Sequence, residues 1–258
     1  MKFSILISSY NKGDYLEDCL NSCLKQSYKN YEIILIDNYS TDNTKYILKK
    51  YSKKIKILKK KKVSTYPQMN QIDLLVNAFK VSKGSIICLL DADDLFNPNK
   101  LSHLKKLFKS KKKTDVLFDL ALIQKNGIKR KFKLKKKMQK YIWPTIINTS
   151  SISMRRKFFQ KCLKEKIFNK FNLLEIDFRI TVLAMSILKN YYITKENLTI
   201  YVHTKDGIIS KIKKYSKKWW TKRSQAHDFM KHIYLKHDKT YENKIDLLFS
   251  KILSKLTI

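Results

Sequence analysis

Three carboxylates close an apolar run, ICLLDADDLF from Ile87 to Phe96, in a chain whose 56 lysines and arginines outnumber its 21 acids for a formal net charge of +35. Like charges this close repel, so the cluster calls for a cation. Asp91 and Asp93 are two apart, and at an extended strand end their side chains point to the same side, with Asp94 turned elsewhere. Two hard-oxygen ligands on one side suit Mg²⁺ or Mn²⁺, which then bridges to the phosphates of a ligand. The plain structural alternative is that Asp93 or Asp94 caps the helix expected over Asn97 to Lys109. The sequence contains neither G-x-G-x-x-G nor G-x-x-x-x-G-K-[ST], so a glycine-rich backbone cradle does not hold phosphates here, and a metal would have to take that role.

Two further residues stand where a nucleoside could be held. Asp37 closes the apolar run EIILID and can accept hydrogen bonds from a base or ribose; it can equally form a turn before the next helix. Tyr10 can stack on a base or pack into the core.

The elements that position these residues alternate through the first half. FSILISS reads as a strand, Tyr15 to Gln26 as a helix, EIILID as a strand, Thr44 to Tyr51 as a helix, KIKIL as a strand, Gln71 to Val81 as a helix and SIICLLD as a strand. Continuous apolar strands in a βαβα series make an α/β fold with a mostly parallel sheet covered on both faces. Ligands of such sheets bind beyond the carboxyl ends of the strands. Three polar clusters fall at those ends, SSYN at Ser8 to Asn11, DNYSTD at Asp37 to Asp42 and DADD at Asp91 to Asp94, and topology predicts that they converge. In the second half, Asp115 to Ile123 and Ile128 to Leu134 read as strands joined by a hairpin turn at Asn126-Gly127. KRKFKLKKK alternates in strand fashion, Trp143 to Arg156 is irregular and then apolar, Ile176 to Leu188 is helical, and Tyr191 to Val202 is strand-like. Two basic amphipathic helices follow Lys213.

Taken together, FSILISSYNKGDYLEDCLNSCLKQSYKNYEIILIDNYSTDNT and SKGSIICLLDADDLF resemble the nucleotide-binding half of family 2 glycosyltransferases, inverting, metal-dependent enzymes of GT-A fold. The resemblance covers residues 2 to 96. It implies a Rossmann-like nucleotide-binding sheet flanked by helices, with Ser8, Tyr10 and Asn11 at the uracil end of a UDP-sugar and Asp37 on the base. It also implies that Asp91 supports ribose and metal, and that Asp93 is the metal ligand, the ion being Mn²⁺ or Mg²⁺. The family commonly has a second acid where Asn38 stands, and an Arg-Asn pair in the region that here reads YPQMNQ, Tyr66 to Gln71, which leaves open whether Gln71 substitutes for the arginine. Downstream, TSSISMRR resembles the segment preceding the acceptor site. LLEIDFRITVLA resembles the acidic motif that supplies the catalytic base, here Asp177, with Glu175 the neighbouring candidate because Ile176 separates two acids that are usually adjacent. Either acid could instead cap the helix or complement its dipole. YVHTKDGIIS is similar to a segment whose histidine, here His203, approaches diphosphate or metal; a surface histidine is the alternative.

These readings divide the chain into a GT-A domain over 1–210, with a nucleotide-binding half at 1–96 and an acceptor half at 97–210, and a basic helical extension over 211–258. The implied activity is transfer from a nucleotide-sugar, a UDP-sugar by expectation, to a hydroxyl of a cell-surface or lipid-linked glycan. A retaining transferase of similar fold is a close rival, and a non-catalytic polybasic protein that binds nucleic acid or membrane is the alternative from another class. Arginine is confined to Arg130, Arg155, Arg156, Arg179 and Arg223, and readers of bases favour its planar fork, so no specific nucleic acid is expected. Lysine-rich helices with Trp219 and Trp220 suit an anionic membrane surface. The longest apolar runs are shorter than a bilayer span, the N-terminus lacks a small-residue cleavage site, and the four cysteines do not make a disulfide framework. The expectation is a cytoplasmic protein with buried thiols, peripheral on the membrane's inner face.

Overall fold

The computed structural model describes residues 1–131, 148–204, 207 and 212–256. The first half builds as its periodicity dictates: β1 (Phe3–Ser9), α1 (Gly13–Leu24), β2 (Tyr31–Asp37), α2 (Thr44–Tyr51), β3 (Lys56–Lys59), α3 (Pro67–Val81) and β4 (Ile86–Asp91). These strands are apolar at consecutive positions because both faces are covered. Leu6, Ile34, Ile36, Ile87 and Leu89 enter one core. Their neighbours Ile5, Ile7, Ile33, Leu35, Cys88 and Leu90 enter the other. Helix α3 begins four residues earlier than the apolar pattern suggests, because Pro67 sits at its first turn, where the missing N–H is no loss.

The next elements are β5 (Leu95–Phe96), α4 (Lys100–Ser110), β6 (Val116–Phe118), β7 (Leu122–Lys125), β8 (Ile128–Lys131), β9 (Ile152–Arg155), α5 (Arg156–Lys164), α6 (Ile176–Thr181), β10 (Tyr191–Ile193) and β11 (Thr199–Val202). A seven-stranded sheet has the order β10-β6-β9-β4-β1-β2-β3, and a four-stranded sheet the order β5-β11-β7-β8. β9 runs antiparallel between β4 and β6. The run from Asp115 to Ile123 is therefore two strands in different sheets, as is the run from Tyr191 to Val202. Each break follows a demand that hydrophobicity does not encode, since Asp119 must turn toward Lys100 and Thr199 must reach the same ammonium. The hairpin expected at Asn126-Gly127 is present as a two-residue turn with φ of +50° and +78°, the left-handed pair such turns require. Strand readings extending to Leu134 and Lys137, the irregular stretch from Trp143 to Ile147 and the domain boundary at 210/211 lie outside the described residues.

β1 pairs in parallel with β2 on one side and β4 on the other, so strand order reverses there. This is the switch point beside which open α/β sheets bind ligands. The register sets Ser8 opposite Asp91 and Ser9 opposite Asp37, which brings the three polar clusters together.

The helix starting at Ile176 passes after Thr181 into a π-helical turn, Val182–Ile187. Helices α7 (Lys217–Lys236) and α8 (Lys244–Leu256) end the described chain. α7 is no loose appendage, because Ala226, Phe229, Met230 and Ile233 belong to the same core as β1 and α3. All four cysteines are buried and free. No helix among the described residues is long and apolar enough to cross a membrane.

Candidate active site

A cleft of about 1550 Å³ opens at the switch point, lined among others by Ser8, Tyr10, Asn11, Asp91, Asp93, Asp177 and His203. These seven residues singled out from sequence therefore face one cavity, as do Asn38, Gln71 and Glu175. Asp37 does not line it. This carboxylate is 2 % exposed and accepts from the Ser40 N–H at 3.1 Å and the Ser40 hydroxyl at 2.5 Å, so it folds the turn beneath the cleft. Ser40 Oγ in turn accepts from the Asn11 N–H at 2.8 Å, and Asn11 Oδ1 accepts from the Thr41 N–H at 2.9 Å. The first two polar loops are thus locked together, with Asn11 at a φ of +50°, a conformation asparagine tolerates. Tyr10 is 42 % exposed, not core, and Lys62 Nζ sits 3.9 Å from its ring centroid. Asn38, the residue replacing the family's second acid, lines the cleft beside them.

β4 ends at Asp91, and the Asp94 N–H closes a turn onto the Asp91 carbonyl at 3.0 Å. A turn, not continued strand alternation, presents Asp93. Asp91 Oδ1 accepts from Gln71 Nε2 at 2.7 Å, which places Gln71 in contact with the acidic motif. Burial and then the charge of Asp93 push the Asp91 carboxyl up to about 7. Lys12 Nζ lies 2.7 Å from Asp93 Oδ2. The pair accordingly favours positive charge at this spot. Two carboxylates facing a cleft match the way Mg²⁺ and similar ions are held, by one or two acids with water and substrate phosphates completing the shell. Among the described residues no three His, Cys, Asp or Glu side chains gather into a metal cage, so His203, although on the cleft, does not complete one with the two acids.

Asp94 is fully buried and does not cap α4. Its Oδ2 accepts from Ser150 Oγ at 2.6 Å, its Oδ1 from the Val202 N–H at 2.9 Å, and Ser150 Oγ also accepts from the Asp91 N–H at 3.0 Å. Beneath it, the buried Lys100 ammonium donates to Asp119 Oδ2, Thr199 Oγ1 and the Ser150 carbonyl at 2.7 to 2.8 Å. All three ammonium protons find acceptors, which makes the burial of this charge tolerable.

The same cleft is lined by the second acidic motif, Glu175 and Asp177. Glu175 is buried and bound to Lys222 Nζ of α7 at 2.5 Å. Asp177 reaches the cleft, its Oδ1 accepting from the Phe178 N–H at 2.6 Å. Burial and then the neighbouring charge of Glu175 push the Asp177 carboxyl up to about 7. The Tyr201 hydroxyl, also on the cleft, is raised to about 12 by burial and by Asp94, Asp91 and Asp93. Upstream, the buried Arg179 fork donates to the carbonyls of Leu174, Ile167, Asn169, Lys170 and Phe171, fixing the loop that leads into Glu175. Sequence reasoning passed over Lys12, Asp119, Tyr201 and Lys222. Lys12 had a signal, since it directly follows SSYN; Lys222 looked like one more lysine of a basic helix.

The description Glycosyl transferase family 2 belongs to the family model that matches residues 4–163. An uncharacterized glycosyltransferase of Nostoc sp. is 30% identical over 128 residues, 49% of this chain and 38% of its own length. The putative teichuronic acid biosynthesis glycosyltransferase TuaG of Bacillus subtilis is 33% identical over 100 residues, 38% of each chain. Among solved structures, S. aureus TarS 1-349 in complex with UDP-GlcNAc superimposes with a TM-score of 0.67 at 18% identity, covering 98% of this chain and 70% of that one. The fold is therefore of the GT-A type, and the matched stretches span little more than a third of the curated relatives' own lengths.

Proposed function

The chain belongs to glycosyl transferase family 2, and on that premise we propose that it moves a sugar from a UDP-sugar to a hydroxyl of a cell-surface or lipid-linked glycan, with inversion at the anomeric carbon. The observation that carries this reading is one cleft lined both by a paired-acid motif, Asp91 and Asp93, and by an acid poised near neutrality, Asp177. The UDP-GlcNAc held by TarS and the teichuronic acid biosynthesis in TuaG's name support the donor and acceptor classes.

Tyr10 offers an exposed ring face for the base, and Asn11 and Asn38 offer polar edges beside it. Asp91 and Asp93 would hold Mn²⁺ or Mg²⁺, which when bound neutralises the charge of a departing diphosphate. Gln71 fixes the rotamer of Asp91. Lys12 and Lys62 add positive charge on the same side. In the same cleft, the Asp177 carboxylate takes the proton of the acceptor hydroxyl as its oxygen bonds to the anomeric carbon and the bond from that carbon to the diphosphate breaks. A positioned base of this kind contributes about 10² to 10⁴-fold. Glu175 is occupied by Lys222, which favours Asp177 over it as the base.

A thermal-shift panel of UDP-, GDP- and dTDP-sugars, with and without Mn²⁺, tests donor and metal together. Stabilisation by UDP-sugars that grows with Mn²⁺ is the expected result; indifference to every nucleotide would overturn the proposal. The anomeric configuration of the product, read by NMR, tests inversion.

A further inference from the structure

Helix α8 leaves most of its large apolar side chains exposed. Its inward face mixes polar and apolar side chains: Asp246 pairs with Arg223 and His227 of α7, Ser250 is fully buried, and Leu247 and Leu253 are half-buried. Its outward face is a stripe at helical spacing, Ile245, Leu248, Phe249, Ile252 and Leu256, exposed by 86%, 61%, 56%, 45% and 70%. Burying it would remove a contiguous apolar surface from water, and such surfaces mark interaction sites.

The stripe continues into an aromatic cluster. Phe249 meets Trp220 edge-on at 6.0 Å between centroids, Trp220 meets Trp219 at 4.6 Å, and Tyr215, itself 59% exposed, lies 5.4 Å from Trp219. Lys213, Lys214, Lys217 and Lys218 are exposed beside this cluster, and Lys251 and Lys255 lie exposed along α8. Apolar stripe, interfacial tryptophan and tyrosine, and flanking lysines are the three components by which helices lie in a lipid headgroup layer. Charge decides between occupants. Two copies of a chain at +35 repel one another, whereas an anionic bilayer attracts each lysine near it.

We propose that the outer stripe of α8, the Tyr215, Trp219 and Trp220 cluster and the adjoining lysines seat this protein on an anionic lipid bilayer. Lys218 also lines the cleft, so the seat borders the cleft mouth. On the activity proposed above, that would present the site to an acceptor carried by lipid, but the seat itself does not depend on that activity.

The test is co-sedimentation of the full chain with phosphatidylcholine vesicles and with phosphatidylcholine–phosphatidylglycerol vesicles. Binding is expected only with phosphatidylglycerol, and to weaken as salt rises. The triple variant Leu248→Ser, Phe249→Ser, Ile252→Ser alters exposed positions and is expected to bind at least about tenfold more weakly while melting by circular dichroism like the parent. Replacing Lys213, Lys214 and Lys217 by Gln should weaken binding by roughly fivefold per lysine. Absence of pelleting, pelleting that ignores phosphatidylglycerol, or undiminished pelleting of the folded triple variant overturns the proposal. So does a concentration-dependent dimer in sedimentation velocity that the triple variant abolishes, since a second copy would then occupy the stripe.

Discussion

Replacing Asp177 by Asn separates the chemistry of this acid from its cost to the fold. Its carboxyl stands at about 7 against an ordinary 3.8, so ionising it in the folded chain is harder than in the unfolded chain. The difference corresponds to on the order of 4 kcal/mol. The sign follows from where each state titrates. Near pH 4 the acid is protonated in the folded state and about half protonated in the unfolded state, so little is lost. As pH rises toward 7 the unfolded chain ionises first, and the wild type progressively loses stability relative to a neutral side chain; above 7 the loss is complete. Asn keeps an oxygen to accept from the Phe178 N–H. Asp177→Asn should therefore melt with the wild type near pH 4 and several degrees above it at pH 8, at roughly 2 to 4 °C per kcal/mol for a chain of this size. Turnover, followed as UDP release, should fall by about 10² to 10⁴-fold, and the limb near pH 7 in the wild-type profile of kcat/KM should vanish. UDP affinity should not change. An equal melting shift at both pH values, or a joint loss of UDP affinity and turnover, would show that Asp177 is a structural residue.

On the proposed function, Asp93→Ala should abolish stimulation of turnover by Mn²⁺ while leaving the circular dichroism spectrum intact; metal-stimulated activity in that variant contradicts the proposal. Lys222→Met strands the buried Glu175 carboxylate, which should destabilise by about 3 kcal/mol and lower the melting temperature by roughly 6 to 12 °C. Adding Glu175→Gln to it should restore most of that, whereas additive losses would mean that the pair is not coupled. Lys100→Met leaves Asp119 unpaired in the core and should destabilise by about 3 to 5 kcal/mol, readable in urea unfolding as a lower midpoint at unchanged slope.

The first half of the fold was legible because parallel strands covered on both faces are apolar at every position and end in polar clusters. Residues 3 to 91 needed only that rule. β9 hid inside an irregular stretch because an antiparallel strand inserted among parallel ones has the same apolar composition. Asp115 to Ile123 looked like one strand because its composition is apolar on both sides of the break, and only the Asp119–Lys100 contact explains that break. The site followed the same division. Asp91, Asp93, Tyr10 and Asn11 were found because topology delivers strand ends to one place, while Asp37 was found and turned out to serve the turn below it. Tyr201 reaches the cleft and Lys222 reaches the buried Glu175 from distant segments, and no local pattern announces a partner supplied by tertiary packing.

The Asp94 carboxylate has a consequence for anyone hoping to re-target the donor by grafting a relative's first 96 residues onto this acceptor half. The cut would fall between a buried carboxyl and the hydroxyl and amide that clasp it, Ser150 Oγ and Val202 N. A chimera made there inherits a working seam only when the incoming segment brings an acid to position 94. Grafts that ignore this should yield proteins whose two halves each look correct yet meet badly at the catalytic edge.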